Sequence, residues 1–119
     1  MRARPIHRGD VVISRFPFTD LSGTVPRPSL IISTHPSASD FIVAFISKVI
    51  PPRPGPFDYV VRPDHPEFSW TGLRFPSVFR MNKIVTLNRV LITSRLGRVG
   101  PRISREVDIR LRAAIGLHT

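Results

Sequence analysis

Residues 29–33, Ser-Leu-Ile-Ile-Ser, and 41–50, Phe-Ile-Val-Ala-Phe-Ile-Ser-Lys-Val-Ile, are two apolar runs rich in β-branched side chains. Such side chains are stiff at χ1 and pack well on a pleated surface, so both runs read as strands. His35, Pro36, Ser37 and Asp40 supply a turn between them, and the pair is expected at the centre of a sheet. Upstream, Val11, Ile13 and Arg15 alternate with Val12, Ser14 and Phe16 until Pro17 stops the run, the pattern of a half-buried strand. The stretch from Phe18 to Pro28 collects Asp20, Ser22, Gly23, Thr24 and Pro26 and is read as a polar loop.

Downstream, Pro51, Pro52, Pro54 and Pro56 exclude a helix or a sheet ladder and impose an extended bend. Strand character resumes over 57–62, a turn follows over 63–66, and one or two short strands, broken near Pro76, are expected between Trp70 and Met81. Ile103, Val107, Leu111 and Ile115 recur every four residues, which predicts a helix over 101–115, with Pro101 in its first turn and Gly116 beyond its end. The whole chain, residues 1–119, reads as a single domain of the α+β class, mainly β, with residues 1–8 a basic N-terminal extension.

The 18 Lys and Arg residues against 8 Asp and Glu give a net charge of +10, and all but Lys48 and Lys83 of these cations are arginine. A guanidinium matches phosphate oxygens in a planar fork, so this balance favours a polyanionic partner. Cysteine is absent, which excludes disulfides, zinc–thiolate sites and a catalytic thiol. No secretory signal is legible, and the longest apolar run, Phe41 to Ile46, is far short of the roughly 20 residues of a membrane-spanning helix. A cytoplasmic protein without a membrane partner is expected.

Gly9-Asp10-Val11-Val12, Phe16-Pro17-Phe18, a Gly-containing loop and Arg27-Pro28-Ser29-Leu30-Ile31-Ile32-Ser33 together resemble the MazF/PemK family of toxin–antitoxin toxins. The resemblance continues through Val43-Ala44-Phe45-Ile46-Ser47, Ser77-Val78, Ile84, Thr86-Leu87 and Leu96-Gly97, in the family's order over almost the whole chain. It implies a small, strongly bent SH3-like β-barrel with a C-terminal helix, usually a homodimer. It further implies a growth-inhibiting endoribonuclease that cuts single-stranded RNA without metal or cofactor and is silenced by a cognate antitoxin carrying an acidic segment.

Metal-free RNA cleavage uses the substrate's own 2′-hydroxyl, so the protein has to stabilise charge on the phosphoryl oxygens and manage two protons. Arg27 matches the arginine that similar toxins place at the start of their second strand, and the resemblance makes it the leading catalytic residue. Without that context it would be a solvated residue before a proline. Ser47 stands where many members carry threonine; its hydroxyl could donate to the scissile phosphate, but it lacks threonine's stiffer rotamer. The alternative for Ser47 is a polar strand residue satisfied by backbone. Lys48 would face the other side of a regular strand.

Arg15, Arg53, Arg74 and Arg80 are candidate contacts to the RNA backbone, and Phe18, Tyr59 and Trp70 are candidate stacking platforms, with Thr24 in the loop also a substrate-binding candidate. Phe16 and Phe18 equally suit a core or loop-anchoring role. The loop from Thr19 to Arg27 could cover bound RNA, as in similar toxins. His35 and His65 read as solvent-exposed loop histidines, His7 and His118 lie near the termini, and no histidine spacing suggests a metal site. The series Arg89, Arg95, Arg98, Arg102, Arg105, Arg110, Arg112 is either a solvated face, an RNA-attracting surface or a dock for an acidic antitoxin segment. Two rival readings remain at this stage: a non-catalytic gyrase-inhibitor-like toxin of the same fold, and a basic RNA-binding module.

Overall fold

The computed structural model describes residues 5–17, 24–33 and 39–117. Phe18, His35, His118 and most of the expected covering loop therefore lie outside the described residues. Six strands, β1 (Asp10–Pro17), β2 (Thr24–Ser33), β3 (Asp40–Ser47), β4 (Asp58–Val61), β5 (Ser77–Asn88) and β6 (Ile92–Arg98), form one antiparallel sheet in the order β4-β5-β3-β2-β1-β6. The two β-branched runs, on β2 and β3, form its central pair, as expected. The helix α1 (Pro101–Ala114) follows, as the four-residue apolar spacing predicts. Its end is closed by bonds from Leu117 N–H to the Arg112 carbonyl and from Gly116 N–H to the Ala113 carbonyl.

Alternation along the strands divides the core in two. On one face Val11, Leu30, Ala44, Ile46, Phe79 and Met81 pack beneath Ile103 and Val107 of α1. On the other face Val12, Ile31, Phe41, Val43 and Leu87 form a second cluster, against which Ile6, Phe45 and Ile92 pack. The sheet is bent but its edge strands are not hydrogen-bonded to each other. A 3₁₀ turn, Phe68–Thr71, spans from the β4 side and packs against β6 instead. Backbone meets backbone there: a Cβ at Gly97 would collide with the Trp70 carbonyl oxygen, and one at Gly72 with the Leu96 carbonyl oxygen. Glycine at both positions is what admits this approach.

Four local expectations are corrected. Residues 24–28 are strand rather than loop, because β2 already pairs with β1 from Thr24 while β3 joins only at Ser29. Pro26 and Pro28 thus sit where β2 is an edge, the place a sheet tolerates proline. β3 ends at Ser47 instead of running to Ile50: the Ser47 hydroxyl accepts the Val49 N–H at 3.0 Å and turns the chain out of the ladder. Trp70 belongs to the 3₁₀ turn and not to a strand. His65 is half-buried rather than loose, with Nδ1 accepting the Glu67 N–H at 3.0 Å.

β5 and β6 beyond Met81 escape the apolar pattern altogether. Between Ala44↔Ile84 and Phe45↔Arg80 the register shifts, leaving residues 81–83 without partners on β3. Such a bulge breaks the two-residue period on which strand recognition depends.

Candidate functional site

Arg27 projects from β2 and is exposed, with its Cα opposite Ser14 of β1. Beneath it lies a polar platform. Ser14 and Ser29 are both fully buried and share a 2.7 Å hydroxyl–hydroxyl bond, so neither is left unsatisfied. Ser29 pairs in turn with Phe45 of β3. Arg27 and Ser47 each lie two residues beyond that last pair, so alternation sets them on the same face of adjacent strands. Acceptance of the Val49 N–H orients the Ser47 hydroxyl and leaves its O–H available to donate.

The next strand adds a second guanidinium. Arg80 of β5 pairs with Phe45, on the face shared by Ser29, and its Nε lies 3.3 Å from Oδ1 of Asp58. Asp58 is nearly buried and also accepts the Gly55 N–H at 2.9 Å, which ties the proline-rich 51–57 bend to β4. Because Asp58 engages Nε, the terminal amino groups of Arg80 remain for an anion. Arg27, Ser47 and Arg80 thus share one face across β2, β3 and β5, a cation–hydroxyl–cation row suited to phosphate oxygens. Asp58 carries no sequence signal of its own; only the cross-strand pair Asp58↔Arg80 reveals it.

The other candidates are distributed around this row. Arg53 is exposed in the 51–57 bend. Arg74 is exposed beside Phe75, whose ring lies 5.4 Å beneath the Lys48 ammonium, at the end of β3 that carries Ser47. Thr24 starts β2 opposite Pro17. Arg15 alternates with Ser14 and so stands on the opposite face of β1 from Arg27. Trp70 lies beside β6 and is 52% exposed, on the far side of β1 from Ser47. Tyr59 faces α1, where the Arg110 guanidinium covers its ring at 4.7 Å. Burial, and then the Glu106 carboxylate, push its phenol above the ordinary value of 10.0.

The carboxylates are largely committed to structure. Asp10 holds Arg95 at 3.2 Å, Glu106 holds Arg110 at 3.0 Å and Asp108 holds Arg8 at 2.7 Å. Glu67, which sequence reasoning missed, is 4% exposed and accepts the Arg102 and Ile103 N–H groups, each at 2.9 Å. It caps α1 from 35 residues away, a relation with no local sequence signature. Among the described residues no group of three His, Cys, Asp or Glu side chains could hold a metal ion, and no helix is long and apolar enough to cross a membrane.

A family model described as PemK-like, MazF-like toxin of type II toxin–antitoxin system matches residues 7–115. The chain belongs to this family. Solved structures of the same fold include a mycobacterial endoribonuclease in complex with its cognate antitoxin, 22% identical, with a TM-score of 0.73 over 98% of this chain and 99% of that one. The Mycobacterium tuberculosis toxin MazF-mt6 is 18% identical, with a TM-score of 0.73 over 92% of this chain and 99% of that one. MazF in a MazE–MazF structure from Deinococcus radiodurans is 19% identical, with a TM-score of 0.71 over 93% of this chain and 96% of that one. No curated protein matches the chain. The bent, mainly β fold with a C-terminal helix expected of a MazF/PemK-like toxin is therefore the fold observed.

Proposed function

We propose that this MazF-like toxin is an endoribonuclease that cuts single-stranded RNA selectively by sequence and without a metal ion. The 2′-hydroxyl gives up its proton as its oxygen attacks the adjacent phosphorus, the P–O5′ bond breaks, and the departing 5′-oxygen takes a proton, leaving a 2′,3′-cyclic phosphate and a 5′-hydroxyl. Arg27 stabilises the charge that grows on the phosphoryl oxygens, where a fixed guanidinium acts most strongly. Ser47 donates its O–H to the same phosphate and orients it. Arg80, held by Asp58, and Arg53 and Arg74 draw the flanking backbone.

The observation that carries this reading is the placement of Arg27 and Ser47 on one face of adjacent strands above the buried Ser14–Ser29 pair. The family's biology extends it: a cytoplasmic homodimer that slows growth by cutting mRNA, neutralised by an antitoxin whose acidic segment meets this cationic surface. Arg27→Ala tests the role directly. It is expected to lower the cleavage rate by about 10²-fold or more in a protein whose circular dichroism shows the fold retained. Cleavage at the wild-type rate would remove Arg27 from the chemistry.

A further inference from the structure

Along β6 runs an open cleft of about 770 Å³, lined by Trp70, Ile92, Leu96, Arg89, Arg95 and Arg98, among others. Trp70, Arg95 and Arg98 also line a second cleft of about 400 Å³. The indole stands between the two and is half exposed, unusual for the largest apolar side chain in the molecule. It is not a loose side chain. It sits on the 3₁₀ turn locked against β6 at Gly97, and its ring edge lies close against Gly100.

One of the cations beside it, Arg95, is held in place as well. Asp10, only 2% exposed, orients Arg95 through Nε and accepts the His7 N–H at 2.8 Å, so its charge is already matched within the protein. No other carboxylate lines either cleft among the described residues. A fixed aromatic face flanked by guanidiniums and apolar side chains is the chemistry that holds a base and its adjoining phosphates.

Position relates this cleft to the Arg27 row. Ile92 pairs with Ser14, and Ser14 pairs with Arg27. Two strand spacings, about 10 Å in all, separate the near edge of the cleft from the Arg27 backbone. Val12, which lines the cleft, belongs with Ser14 and Arg27 to one face of the sheet. A single strand of a few nucleotides reaches from one to the other.

We propose that this cleft is a nucleotide subsite, in which Trp70 stacks on a base of single-stranded RNA flanking the cut and Arg95 and Arg98 hold the neighbouring phosphates. The assignment of RNA as the occupant rests on the endoribonuclease reading. Trp70 is the chain's one tryptophan, so its emission reports on this cleft alone. The probe is a short single-stranded oligonucleotide with 2′-O-methyl riboses, dye-labelled and uncuttable because the attacking hydroxyl is blocked. Saturable quenching of the indole is expected, with a weaker midpoint in Arg98→Gln. By anisotropy of the probe, Trp70→Ala is expected to lose about tenfold in affinity and Trp70→Phe to recover most of it.

Binding of the probe with unchanged tryptophan emission would overturn the subsite. So would quenching by a Glu-rich peptide and none by the probe, which would give the cleft to a protein partner. The all-ribose oligonucleotide separates the two readings. If it is cut but the indole is not quenched, the subsite is wrong and the nuclease stands; quenching by a long single-stranded RNA of mixed sequence that stays uncut sustains the subsite and removes the nuclease.

Discussion

At the scale of single residues, the chemistry assigned to the row depends on a hydroxyl in an unusual position, at the point where a strand gives way to a turn. Ser47 Oγ ends β3, and the proposed chemistry also has it donate to the phosphate, so melting temperature and cleavage rate report its two roles separately. Ser47→Ala removes the donor and the Val49 contact together, and an exposed bond of this kind contributes about 1 kcal/mol. The expected outcome is roughly a tenfold loss of cleavage rate with a small fall in melting temperature, whereas Ser47→Thr retains both. Equal rates for wild type and Ser47→Ala in a single-turnover assay would confine the residue to its turn. Tyr59 gives a prediction independent of RNA. Its phenol is raised by burial, so the neutral form is favoured in the fold and the associated stability is complete below the unfolded value of 10.0. That stability is lost as pH rises through the higher folded value. Since Tyr59 is the one tyrosine, tyrosinate absorbance should titrate above 10.0 in the native protein and fall back on unfolding.

At the scale of elements, legibility followed local periodicity. The centre of the sheet and α1 were readable because β-branched runs and a four-residue apolar spacing are local signals. Arg27 and Ser47 were readable only as positions resembling a family pattern; their shared face depends on the β2–β3 register, which no local pattern contains. The bulge at residues 81–83 hid the part of β5 beyond Met81, and glycine contacts between the Phe68–Thr71 turn and β6 are visible only once the sheet bends. Glu67 is the clearest case of information carried by tertiary contact. Its carboxylate accepts the first free N–H groups of α1, which Pro101 and Gly100 cannot cap with side chains of their own. Glu67→Gln replaces one acceptor with an amide that confronts an N–H. A loss of about 1–3 kcal/mol is expected, read as a lower urea midpoint with an unchanged slope. An unaltered midpoint would mean that α1 is capped by water and held by Ile103 and Val107 alone.

At the scale of the whole molecule, the net charge of +10 is not spread evenly in effect. Asp10, Asp58, Glu106 and Asp108 are each engaged by an arginine within the fold, and Glu67 by a helix terminus. These pairs orient chosen guanidiniums, Arg80 and Arg95 among them. On the proposed function, a polyanion meets positioned cations rather than a diffuse field alone. The proposed chemistry goes further than attraction: RNA is cut by its own 2′-hydroxyl, with Arg27 stabilising the phosphoryl charge. Mapping the cut ends of a long single-stranded RNA, incubated in EDTA with wild type and with Arg27→Ala, tests it most directly. The predicted result is discrete cuts ending in 2′,3′-cyclic phosphate and 5′-hydroxyl groups, absent with the variant and at sites where a single 2′-deoxyribose replaces the attacking nucleotide. Ends bearing 5′-phosphates, cuts that persist at the 2′-deoxy position, or cuts abolished by EDTA would contradict it.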